Sequence, residues 1–181
     1  MRAIHATLVL GALAVGVLPH YRVHAQGSPH EQASEGKRIF QRANCVGCHK
    51  WHGGGGGGYG GDALSLRATQ LDRDQIIMTV TCGRPTTGMP YFQRSAYDGE
   101  DHPCYGLGRQ ELGKDIPIEA NIFLRPNEVA AVADYVIAEV KGRGEPNYAE
   151  CIGFFGEGSR VCNVYKQAPT AGAAPPGKQG G

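Results

Sequence analysis

Five consecutive residues, Cys45-Val46-Gly47-Cys48-His49, bring together two thiols and an imidazole at a spacing with a demanding use. Cysteines three apart on the opening turn of a helix can form thioethers to the two vinyl groups along one edge of a porphyrin. The residue after the second cysteine then lies under the ring and offers a nitrogen to the iron. Cys-x-x-Cys-His is the attachment signature of a c-type haem. It occurs once, so one covalent haem c is expected, held by Cys45 and Cys48 and ligated by His49.

Other chemistries fit the same residues less well. Cys-x-x-Cys alone suits a dithiol redox pair, but that leaves the following histidine unexplained. Cys45, Cys48, His49 and His52 contain zinc-ligand types, yet structural zinc sites take their ligands as separated pairs, and Cys48 and His49 are adjacent.

A second axial ligand is sought downstream. Cys82-Gly83-Arg84-Pro85-Thr86-Thr87-Gly88-Met89-Pro90 is too rich in Gly and Pro for regular structure, and it presents Met89 on a stiff loop. A thioether gains little there unless something binds its sulfur, and iron does; His/Met ligation also raises a haem's reduction potential. Met78 is the rival sulfur, in a helical segment beside Ile77 where core packing is the expected role. His52 lies too close to His49 to reach the opposite face, and His102 sits in an acidic loop.

The elements that must position these groups read as helices. Residues 30–44 carry Ile39, Phe40 and Ala43 at helical spacing, with Ser34 or an earlier residue as cap and Gly36 as a costly interruption unless another helix crosses there. Residues 71–81 form a second helix, with Asp72 and Asp74 at its amino end and Ile76, Ile77 and Val80 inward. Asn127 is expected to cap a third, whose face is Val129, Val132, Tyr135, Val136 and Val140.

Between them, Gly53–Gly61 holds eight glycines in nine positions and has a high ordering cost. One of its carbonyls is expected to accept the second N–H of His49. Residues 91–125 read as a turn-rich insertion without a helix, in which Tyr91, Phe92, Tyr97 and Tyr105 could shield the iron side and Arg84 could meet a propionate. Cys151 to Cys162 reads as a small loop displaying Phe154 and Phe155, and residues 166–181 as a disordered Ala/Pro/Gly tail.

The first 25 residues read as a cleavable signal peptide. A positive start at Arg2 precedes the apolar run Thr7–Leu18, Pro19, and a small-residue site at Val23-His24-Ala25. Twelve apolar residues fall short of the ~20 needed to span a bilayer, so the expectation is export to a periplasm without stable membrane insertion. Arg2 and Arg22 belong to that leader, which leaves 16 basic against 17 acidic residues and no reason to expect nucleic acid or an anionic membrane as partner.

An oxidising compartment also suits the remaining cysteines. Cys82, Cys104, Cys151 and Cys162 allow three pairings. Local closure favours Cys82–Cys104 and Cys151–Cys162, each adding ~3 kcal/mol by restricting the unfolded chain.

Taken together, Gly36 and Phe40, the Cys45–His49 motif, Gly88-Met89-Pro90 and Asp134-Tyr135-Val136 resemble the class I, mitochondrial-type monohaem cytochromes c over roughly residues 30–141. The resemblance implies an all-α cytochrome c fold of three to four helices around one covalent haem, with disulfide-stapled loop insertions. It implies a domain over 26–165, with a core at 30–141 and a disulfide-closed extension at 142–165. It also implies that the first and last helices cross at the glycine, against the aromatic of the last.

His49 and Met89 are the implied axial ligands, and one-electron transfer the activity, so the chain is an electron carrier and not an enzyme. A haem enzyme subunit or gas-binding sensor with an open sixth iron position is the alternative. The family's proline after the haem motif is missing from residues 50–84, so a glycine would have to serve. The long stretch after Met89, holding Cys104, is reminiscent of cytochromes serving periplasmic quinoprotein dehydrogenases. Redox partners would be such a dehydrogenase or a terminal oxidase, met by a monomer.

Overall fold

The computed structural model describes residues 29–56, 63–98 and 104–166. The expected signal peptide, most of the glycine run, His102 and the tail beyond Lys166 lie outside the described residues. Within them the chain is helical, with no strand beyond one isolated bridge between Tyr91 and Glu119. The order is α1 (Pro29–Arg42), α2 (Cys45–His49), α3 (Arg73–Cys82), α4 (Arg109–Leu112), α5 (Pro126–Tyr135) and α6 (Tyr148–Phe155). A 3-10 turn follows α4, a π-helical turn (Val136–Val140) prolongs α5, and a 3-10 helix (Arg160–Tyr165) follows α6.

The dominant packing is α1 across α5. Ile39, Phe40 and Ala43 of α1 meet Val129, Val132, Tyr135, Val136 and Val140, with the Phe40 and Tyr135 rings 5.5 Å apart. Gly36 makes the crossing: a Cβ there would sit 2.0 Å from the Ala131 carbonyl oxygen and 2.6 Å from Tyr135 Cβ. The glycine therefore repays its helix-propensity cost of about 1 kcal/mol by letting two backbones touch. Ile76 and Val80 of α3 complete this core.

Several local expectations are corrected. Ser34 lies inside α1, which starts earlier, and its hydroxyl donates to the Glu31 carbonyl. The cap of α5 is Arg125, with Pro126 at the first helical position, where its missing N–H costs nothing. Asn127 comes one residue later, and Glu128 instead accepts the Arg125 N–H at 2.8 Å. Asp72 does cap α3 in a reciprocal box with Gln75.

The insertion is not without a helix: α4 and its 3-10 turn form, supported by Glu111 accepting the Gly108 N–H. A second small core of Tyr91, Ala96 and Tyr97 surrounds Cys82 and Cys104, which stand at disulfide distance with Cα atoms 5.5 Å apart. Cys151 and Cys162 pair likewise, but between α6 and the last 3-10 helix and not within a simple loop.

Candidate haem site

The motif Cys45–His49 forms the whole of α2, entered through Asn44 in the left-handed region. Cys45 and Cys48 are the two free cysteines among the described residues, the other four being paired. Burial pushes the Cys45 thiol up to about 12. A dithiol redox pair needs the opposite, a thiol lowered towards neutrality, so this environment argues against that chemistry. Burial also lowers the His49 pKa, opposed by the Leu64 carbonyl, and favours the neutral imidazole that binds metals.

The acceptor for His49 is Leu64, whose carbonyl oxygen lies 3.0 Å from Nδ1. It is not a glycine. The described glycines serve the approach instead, since Gly55 takes φ +70 and a Cβ there would stand 2.2 Å from the Ala63 oxygen and 2.9 Å from that of Leu64. The Gly56 N–H donates to Ala63 and the Gly55 N–H to His49 itself, closing the loop beneath the imidazole. A bond from Nδ1–H to a carbonyl fixes the tautomer and leaves the Nε2 lone pair for a metal.

Met89 sits on a closed loop. The Arg84 N–H donates to the Met89 carbonyl at 3.2 Å, the Met89 N–H to Thr87 Oγ1 at 3.2 Å, and Thr87 Oγ1 to the Arg84 carbonyl at 2.8 Å. Gly83, at φ +64, admits the returning strand, for a Cβ would meet the Met89 oxygen at 2.7 Å. The insertion braces this loop from outside: Tyr97 donates to the Cys82 carbonyl and Tyr105 to that of Gly83. The side chain of Met89 packs, half-buried, against the same core as Cys45, Val46 and Leu66.

Met78 does not have the core role expected of it. It is 41% exposed and lines a cleft of ≈ 770 Å³ along α3, with Leu71, Gln75, Thr79, Arg84 and Tyr105. Its Sδ touches the Cys82 sulfur at 3.6 Å. Of the four aromatics expected to shield the site, only Tyr105 lines this cleft; Tyr91, Phe92 and Tyr97 are buried in the protein's own packing. His52 accepts the Gly54 N–H through Nδ1 and makes no approach to the far side.

Sequence reasoning missed the residue that ties the motif to the C-terminal extension. Trp51 is ringed by Phe154, Phe155 and Tyr165 at 5.6–5.8 Å. Arg67 locks the same junction, reaching both carboxylate oxygens of Glu150 and the carbonyls of Gly144 and His52. The extension's Phe pair was visible as a signal, but its target directly after His49 was not.

The residues present fit a covalent haem. Two unpaired thiols and an imidazole with Nε2 free stand on one short helix, a thioether is held on a pinned loop, and an apolar-walled cleft of haem-sized volume lies along α3. Comparison with known families agrees. Residues 31–102 match the model of a cytochrome c family described as cytochrome C oxidase, cbb3-type, subunit III. A domain of that kind binds haem c covalently and serves haem-based electron transfer. No curated protein and no solved structure matches the chain.

Proposed function

We propose that this chain is a monohaem c-type cytochrome of a bacterial periplasm, carrying single electrons on an iron held by His49 and Met89. The observation that carries the reading is the His49–Leu64 hydrogen bond at the end of Cys45-Val46-Gly47-Cys48-His49. It prepares the imidazole as a metal ligand in the place that the attachment motif requires.

When bound, the haem supplies a reversible one-electron couple. The protein's part is to keep that couple in place. Cys45 and Cys48 fasten the group, and the Leu64 carbonyl holds the His49 tautomer. The Gly83–Pro90 loop presents the Met89 sulfur without reorganisation. The buried α1–α5 core excludes water, and such apolar surroundings with thioether ligation favour a high potential. No acid–base pair is assigned to substrate chemistry, consistent with a carrier or the electron-transfer subunit of an oxidoreductase.

Partners would be redox proteins, a dehydrogenase as donor or an oxidase as acceptor, meeting the chain in brief encounters over a small interface. Intact mass of the exported protein tests the reading. The mass should correspond to a chain cleaved after Ala25 plus one haem. That addition should vanish in Cys45→Ala/Cys48→Ala, and the reduced protein should not bind carbon monoxide rapidly. An exported chain with no added mass would refute it.

A further inference from the structure

Arg84 lines the α3 cleft from the loop that carries Met89, with its backbone fixed on both sides by Met89 and Thr87. Its half-buried guanidinium makes no hydrogen bond or ion pair with any described residue. The arginines Arg67, Arg73 and Arg109 each meet a carboxylate. The acids on the cleft do not neutralise it: Asp72 is engaged in capping Gln75, and the nearest base to Asp74 is Arg73 at 4.0 Å. The charge of Arg84 is nevertheless felt by both His49 and Tyr105, which places it between the haem motif and the insertion wall.

A cation partly withdrawn from water without a counter-charge is unfavourable. Its planar fork is shaped for a carboxylate. We propose that Arg84 is the seat of a haem propionate carboxylate, so that the residue five before Met89 positions the porphyrin and sets its potential. This rests on the haem reading above. The positive charge favours the reduced iron, which carries one positive charge fewer, so its loss should lower the potential.

The test uses the exported, haem-loaded chain and its variants Arg84→Gln and Arg84→Lys, with intact mass, thermal unfolding and redox titration on each. All three should carry one haem. Arg84→Gln should shift the reduction equilibrium about tenfold, a fall of ~59 mV for one electron, and Arg84→Lys should recover part of it.

An unchanged potential in fully loaded Arg84→Gln overturns the assignment while leaving the haem reading intact; a wild-type chain without haem overturns both. Equal falls in the Gln and Lys variants would mark a packing effect and also overturn it. Acetate, added against chloride at matched ionic strength, should not move the wild-type potential. An acetate-specific shift lost in Arg84→Gln would show a guanidinium open to free anions and refute a resident propionate.

Discussion

His49 Nδ1 and the Leu64 carbonyl oxygen are 3.0 Å apart, and the meeting depends on Gly55 passing underneath. Gly55 and Gly56 both have positive φ, but a Cβ on Gly56 would meet nothing within 4 Å. Ala at either position pays the left-handed cost of about 1–2 kcal/mol. Only Gly55→Ala must also push back the 63–64 backbone, adding about 1–3 kcal/mol. Denaturant unfolding should therefore rank Gly55→Ala well below Gly56→Ala. Redox titration should show a raised potential in Gly55→Ala alone, because an imidazole that loses its acceptor is a weaker donor. Equal losses in the two variants, with equal potentials, would mean that the close approach does not matter.

Gly36→Ala sets two effects against each other. Helix propensity improves by about 1 kcal/mol, while the new methyl is forced into the Ala131 carbonyl and the Tyr135 side chain. Forcing an extra methyl into a tight crossing costs about 1–3 kcal/mol, occasionally more, and here an oxygen only 2.0 Å away leaves no room to relax. The expected outcome is a lower Tm with helix content unchanged by circular dichroism. A stabilised variant would show that α1 and α5 are not this close.

The sequence made the haem motif, the α1–α5 crossing and the cysteine pairing legible because each is a local pattern or a single steric demand. Gly36 announced a close helix contact by being wrong for a helix, and its partner Tyr135 lay in a period that one face explains. The acceptor for His49 was not legible. Leu64 acts through its backbone carbonyl, which every residue possesses, and only the fold of the glycine loop brings it there. Met78 misled for a similar reason: an apolar residue beside Ile77 reads as core, but a helical step of 100° turns it onto the cleft. The role of Trp51 also depended on contacts about a hundred residues away, which no local period encodes.

Glu128 predicts how the fold answers acid. Hydrogen bonds from the Arg125 side chain and backbone, with the Arg42 guanidinium at 2.6 Å, hold its carboxyl down at about 2 from an ordinary 4.5. A depressed folded pKa contributes stability that is complete above the unfolded value and drains away as pH falls through the folded one. Thermal unfolding of the wild type should thus weaken as pH drops from about 4.5 towards about 2. Glu128→Gln should be less stable at neutral pH and flatter across that window. Parallel wild-type and variant curves would remove Glu128 from the acid response.

Met89 and Met78 give the sharpest pair of variants. The sequence preference for Met89 leaned partly on Met78 being buried packing, and Met78 is instead 41% exposed on the α3 cleft. What favours Met89 now is restraint. Its loop is closed by three hydrogen bonds, braced by Tyr97, Tyr105 and the Cys82–Cys104 pair, and its side chain packs on the core that holds Cys45. A ligand so held loses little freedom on binding iron, whereas a half-exposed methionine must give up several rotatable bonds, at up to ~2 kcal/mol. Met89→Ala should abolish the weak red-region band of sulfur–iron ligation in the ferric protein, lower the potential and let the reduced iron bind carbon monoxide. Met78→Ala should keep the band. If the two results are exchanged, the iron takes its sulfur from α3, and the pinned loop serves Arg84 rather than Met89.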